Sequence, residues 1–141
     1  MQEVLKRRKA QQAELIKAAE KFAEKLRQNL GSLTAWIFGS VAKGTFKTWS
    51  DIDVFIVAEN LPDHPMQRLK LLYRYACEGI EPKGWALSEF LTHLGEGNKQ
   101  LLAMLRERIL LIDDLNLEPL LQAKIAEMER ANVIGDGGVK F

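Results

Sequence analysis

Between Trp36 and Val57 the chain reads WIFGSVAKGTFKTWSDIDVFIV, and this stretch restricts the possible folds more than any other. An apolar run, Trp36-Ile37-Phe38, stops at Gly39-Ser40. After ten intervening residues come Asp51 and Asp53, separated by Ile52 and followed by Val54-Phe55-Ile56-Val57. These residues read as a strand ending in a small-residue turn, then a second strand carrying two acids. Side chains two apart on a strand project to one face, about 6.5–7 Å apart. Asp51 and Asp53 therefore point together, while Ile52 and Val54 point to the opposite, buried face.

From Gln2 to Leu30 there is neither Pro nor Gly, and Leu15, Ala19, Phe22, Ala23, Leu26 and Leu30 recur at steps of three and four. This predicts a long amphipathic helix capped by Gly31. Strands are expected over Leu33–Phe38 and Ile52–Ala58, with a loop, or a short helical turn plus loop, between them. A helix is expected at 65–77, a short strand at 80–87, helices at 90–94 and 99–106, a fourth strand at 109–112 and a last helix at 117–131. Pro82 suggests an edge position or an early bulge for the third strand. The tail, 134–138, reads as mobile. The order predicts a small α/β (α+β) fold, a mixed sheet of about four strands with helices packed on one side and a long N-terminal helix. Residues 1–31 would form that helix, 32–115 the core, and 116–141 a C-terminal helix and flexible tail, all within one domain.

Two carboxylates at the Asp51/Asp53 spacing can share bound ions. Mg²⁺ takes hard oxygen ligands and keeps waters and substrate phosphates in its shell. Two such ions about 3.5–4 Å apart can clamp the attacking and leaving oxygens of a displacement at phosphorus. Gly39 lets the backbone approach a ligand closely. The N–H groups of its turn and the Ser40 hydroxyl can donate to phosphate oxygens. Lys43 is the nearer of two loop cations, with Lys47, and Ser50 can either fix the loop or donate to a phosphate.

Both halves also have plain structural readings, since a Gly-Ser turn is often only a turn and Asp-x-Asp often a solvated strand end. Against these stands the setting of the acids on DIDVFIV, otherwise apolar and with no base nearby in sequence. Such carboxylates repel unless a cation joins them. A P-loop is excluded: Gly39 and Gly44 have its spacing, but Thr45 and Phe46 follow where Lys and Ser/Thr are required. Trp36, Trp49 and Trp85 read as core or loop-anchoring residues rather than base-stacking platforms, although Trp49 flanks the acids and could lie against a nucleotide. His64 and His93 form no metal-ligand pair.

The chain has 141 residues, 47% apolar and 28% charged, which suits one ordinary globular domain. No apolar run approaches the roughly 20 residues that a bilayer requires. The basic N-terminus lacks the apolar block of a secretory signal. The single cysteine, Cys77, fits a cytoplasmic setting and reads as a small packing residue on a helix. A net charge of +1 makes no strong case for nucleic-acid binding. The cations of residues 1–30, Arg8 among them, alternate with glutamates as a solvated helix face; the sharper reading is a lead-in for an anionic nucleotide, RNA or acidic partner.

The pattern of apolar residue, Gly-Ser, ten residues, Asp-apolar-Asp-apolar resembles the signature of the DNA polymerase β-type nucleotidyltransferase superfamily. Within it, GSVAKGTFKTWSDIDVFIV resembles the minimal nucleotidyltransferase domains of prokaryotes, strongly over residues 33–58 and by element order to about residue 112. The resemblance implies that Gly39 and Ser40 contact the triphosphate of ATP or another NTP, and that Asp51 and Asp53 hold two Mg²⁺ ions. It also implies a third carboxylate on a later strand, for which Glu81 is the best match, although the family more commonly has Asp and Pro82 adjoins it here. The implied activity is transfer of a nucleoside monophosphate, AMP from ATP, to an acceptor hydroxyl. In this family the acceptor is often a protein, and many members resemble antitoxins paired with a helical HEPN-type toxin. The alternative is a catalytically weak or inactive nucleotide-binding module that neutralises a partner by protein–protein contact.

Overall fold

The computed structural model describes residues 2–47 and 50–139, with side chains described as far as residue 131. The chain runs through α1 (Gln2–Leu30), β1 (Leu33–Phe38), α2 (Gly39–Lys43), β2 (Ile52–Ala58), α3 (Pro65–Tyr75), β3 (Ile80–Ala86), α4 (Leu87–Gly95), α5 (Lys99–Met104), β4 (Ile109–Asp113) and α6 (Glu118–Val139). Local chemistry sets many of these boundaries. Gly31 closes α1 at φ +86, its N–H donating to Arg27 O at 2.9 Å. His64 Nδ1 accepts from the Met66 N–H, and Pro65 occupies the first turn of α3. Asp113 caps α6 by accepting from the N–H groups of Leu117 and Glu118, at 2.8 and 3.0 Å. That helix continues to Val139, beyond residue 131 where its pattern was expected to end.

The sheet order is β3-β2-β1-β4. β1 is antiparallel to both β2 and β4, whereas β2 and β3 are parallel, because the chain crosses between them through α3. Pro82 therefore sits on an edge strand, as its missing N–H requires.

Helices cover both faces of this sheet rather than the one expected. Ala35, Ile37, Val54, Ile56 and Ala58 pack with Phe22 and Leu26 of α1 and Leu72 of α3. On the opposite face Trp36, Phe55 and Val57 pack with Phe90 and Leu94 of α4, Leu101 and Leu102 of α5, and Leu121 of α6. The physical reason lies in β2: from Val54 to Ala58 it is an unbroken apolar run, which has two faces to bury. Trp36 stacks on Phe90 at 5.6 Å between ring centroids, and Phe55 meets Trp85 edge-on at 5.4 Å.

The second face is pinned by a polar knot. Trp36 Nε1 donates to Glu118 Oε1 at 2.8 Å, and Arg108 grips the same carboxylate through Nε at 2.9 Å and Nη2 at 2.7 Å. Burial pushes the Glu118 carboxyl up, but hydrogen bonds from Arg108, Trp36 and Gln122 outweigh it and hold the group below the usual glutamate range. A carboxyl held low in the folded state contributes stability above its unfolded value of 4.5 and loses it as pH falls through the folded value. Glu118→Gln is therefore expected to cost about 2–3 kcal/mol at neutral pH. In urea titrations its deficit against wild type should shrink as the pH drops below 4.5; a deficit constant with pH would show that the carboxylate's charge contributes nothing.

Candidate active site

α2 starts at the residue after β1 ends, and the register sets Phe38 opposite Asp53. Gly39 and Ser40 thus arrive at the end of the sheet where β2 begins. Gly39 has φ +71, a conformation that other residues adopt at a cost. A Cβ added there would collide with Asp53 Oδ2 and lie 3.2 Å from Asp53 Cγ. Sequence reasoning required this glycine so that backbone could approach a phosphate. The structure shows a nearer constraint: the Asp53 carboxylate itself occupies the space that a side chain at position 39 would need.

The β2–β3 register places Glu81 beside Asp53, on strands that lie about 4.8 Å apart. Asp51 stands exposed one residue before β2, Glu81 is exposed and Asp53 is half-buried. Burial first, then the negative charges of Glu81 and Asp51, push the Asp53 carboxyl above the usual aspartate range. The three acids thus interact electrostatically, but among the described residues no group of three or more His, Cys, Asp or Glu is arranged to hold a metal ion. The two observations are compatible, since repulsion acts over longer distances than ligation. Hard oxygen donors that repel one another suit Mg²⁺, which takes its remaining ligands from phosphates and water.

The other residues singled out by sequence fall at varying distances from this cluster. Ser40 is half-buried in the first turn of α2, its carbonyl accepting from Thr45 N at 3.0 Å. Lys43 is exposed in the last turn of α2. The Ser50 hydroxyl accepts from Lys47 N at 2.7 Å, while Ser50 N donates to Lys47 O at 3.0 Å, so it closes the tight turn that leads into Asp51. Trp49 lies outside the described residues.

Sequence reasoning missed the brace behind the motif. Arg8 of α1 donates to Gly44 O at 3.2 Å and to Phe46 O, and its guanidinium lies 4.4 Å from the centroid of the Phe46 ring. Gln12 donates to Val41 O at 2.7 Å. The N-terminal half of α1, read as a solvated charged face, therefore also holds α2 and the following loop in place. No sequence signal distinguishes Arg8 from its neighbouring cations, because only the packing of α1 brings it to that loop.

A cleft of about 460 Å³ at Asp53 and Glu81 is lined also by Phe38, Pro82 and Lys83 and by Leu69 and Tyr73 of α3. This sheet, with Gly39-Ser40 after β1, two acids at the head of β2 and an acid on β3, is matched over residues 19–127 by the family model of the nucleotidyltransferase domain. The chain belongs to that family. A provisionally named protein adenylyltransferase from Methanocaldococcus jannaschii is 34% identical over 74 residues, or 51% of this chain and 50% of that protein. The chain thus matches about half the length of this curated relative. Among solved structures, one from Sulfolobus solfataricus, provisionally named a nucleotidyltransferase, superposes with a TM-score of 0.54 at 22% identity, covering 60% of this chain and 78% of the other. A chain from a toxin–antitoxin structure with AMP-PNP gives 0.51 at 17% identity, covering 86% and 95%. At these identities the two structures establish the shared fold. Among the described residues, no helix is long and apolar enough to cross a membrane.

Proposed function

We propose that this chain catalyses Mg²⁺-dependent transfer of a nucleoside monophosphate, AMP from ATP, to a hydroxyl of a protein acceptor. The observation that carries this reading is the contact set of Asp53: pressed against the Gly39 backbone on one side and registered with Glu81 on the other. It brings the α2 turn, the acid of β2 and the acid of β3 next to one another at one end of the sheet. Gly39 and Ser40 hold the β- and γ-phosphates, with Lys43 as an added cation. Asp51 and Asp53 hold the metal, with Glu81 completing the acidic set. Bound Mg²⁺ would supply the positive charge that offsets charge developing on the transferred group. The acceptor oxygen attacks the α-phosphorus, its proton passes to Glu81, and the bond to the bridging oxygen of the β-phosphate breaks to release pyrophosphate.

Two likenesses support a protein acceptor: the relative named for protein adenylylation and the fold neighbour from a toxin–antitoxin structure with AMP-PNP. A HEPN-type toxin as partner, and the cytoplasm as the setting, extend the same reading. The test is transfer of labelled AMP from ATP, with and without Mg²⁺, to the product of the neighbouring gene. Glu81→Gln should slow transfer by about 10²-fold or more if Glu81 takes the proton; transfer at the wild-type rate would remove it from that role.

One observation favours the second reading, a nucleotide-binding module that acts by contact alone. Among the described residues no three acids are grouped to hold a metal ion, and the third carboxylate is an exposed glutamate on an edge strand. Mg²⁺-dependent ATP binding without AMP transfer to any co-purified partner would establish it.

A further inference from the structure

On β3 the residues Glu81, Lys83 and Trp85 alternate onto the face that carries Asp53, at steps of about 6.5–7 Å. They lead away from the acids toward α4 and α5. A separate cavity of about 180 Å³ lies there, lined by Lys83, Trp85, His93, Asn98, Gln100 and Met104, and it shares Lys83 with the carboxylate cleft. At that volume it falls below the roughly 300–1,000 Å³ of whole-ligand pockets, and so suits one planar ring rather than an entire nucleotide. Trp85 and His93 form an aromatic wall, their ring centroids 4.8 Å apart at 38°.

The polar rim is ordered by its own hydrogen bonds. Asn98 Oδ1 accepts from Leu101 N at 3.0 Å, which turns the Asn98 amide nitrogen toward His93 Nδ1 at 3.1 Å. In the neutral imidazole Nδ1 is then the acceptor, and Nε2–H is left as a donor. The side chains of Lys83 and Gln100 make no hydrogen bond or ion pair with another described residue. An aromatic wall, an N–H donor, a cation and a free side-chain amide match a heteroaromatic ring bearing acceptor nitrogens or carbonyls.

Resting on the proposed transferase reading, we propose that this cavity is the subsite for the nucleobase of the nucleotide. Trp85 and His93 pack against the ring, Gln100 and His93 meet its polar edge, and Lys83 lies between base and α-phosphate. Triphosphate and base are thereby recognised by separate elements, α2 for one and β3 with the α4–α5 connection for the other.

The test compares the affinity of the full chain for Mg²⁺–ATP with that for Mg²⁺–tripolyphosphate, by calorimetry, in wild type, Asp53→Asn, Trp85→Leu and Gln100→Phe. Gln100 is exposed, so the bulky replacement fills the cavity without disturbing the core. Both cavity variants should bind ATP about tenfold more weakly, as expected for lost base stacking, and tripolyphosphate as well as wild type does. Asp53→Asn should weaken both. Unchanged ATP affinity in both cavity variants overturns the subsite while leaving the transferase reading intact, as does unchanged ATP affinity with slower transfer to an acceptor, which would give the cavity to the acceptor instead. Failure of wild type to bind either ligand overturns both proposals. Trp85→Phe should restore most of the ATP affinity, which a merely structural loss would not predict.

Discussion

Asp53→Asn is expected to lower AMP transfer by roughly 10²–10³-fold while raising the melting temperature of the metal-free protein. The two effects have one cause. Asp53 is half-buried, and the charges of Glu81 and Asp51 act on it from the adjacent strand and from two residues upstream. Without a cation this repulsion opposes folding, so an isosteric amide relieves it. Each kcal/mol relieved should raise the midpoint by about 2–8 °C for a domain of this size. Mg²⁺ with ATP should then reverse the ranking, stabilising wild type by mass action and the variant little. Thermal melts with and without Mg²⁺–ATP, beside a transfer assay, test this directly. A variant that melts lower than wild type under every condition would mean that Asp53 serves packing rather than charge.

Gly39→Ala is expected to damage both the fold and the site. The left-handed φ of +71 costs an alanine about 1–2 kcal/mol, and the new Cβ collides with Asp53 Oδ2. Either the α2 turn moves away from β2 or the carboxylate swings out of the cluster. Both outcomes should lower transfer, by roughly tenfold or more given the steep dependence of such chemistry on positioning. The contact predicts non-additivity. In an Asp53→Ala background the clashing oxygen is gone, so Gly39→Ala should cost only the backbone term, and the coupling should appear in a double-mutant cycle. Additive stabilities would show that the Gly39–Asp53 contact is not what requires the glycine.

Much of the architecture was legible because the relevant signals are local. The strands Leu33–Phe38 and Ile52–Ala58 are largely apolar, with Gly39 after the first and Asp51 before the second, and the structure gives both the expected bounds. The stripe from Ala19 to Leu30 is the buried face of α1. The covering of the second face was harder to read. Phe90, Leu101 and Leu121 lie on three separate helices, and their joint packing on Phe55 and Val57 is a long-range event that no window of sequence records. At the site, strand alternation predicted Asp51 beside Asp53, although Asp51 lies one residue before β2, and element order predicted an acid on β3, where Glu81 is registered with Asp53. The clash that reserves position 39 for glycine, the Arg8 brace and the cavity beside Trp85 were not legible. Each depends on how separate elements approach, and the residues involved have ordinary roles when read alone.

The outer edge of β3 bears on how any partner can reach these acids. Ile52 N donates to Gly79 O at 2.7 Å, so the parallel ladder turns the backbone groups of residues 79, 81 and 83 toward β2 and those of Pro82 and Gly84 outward. Pro82 has no N–H to offer there, and the Gly84 carbonyl already accepts from Arg68 Nη1 at 3.4 Å. This border of the sheet is thus a poor template for an added strand, which guards it against edge-to-edge aggregation. For the proposed protein acceptor, it would favour entry of a protruding side chain at Glu81 and Asp53 over pairing of its backbone with the sheet.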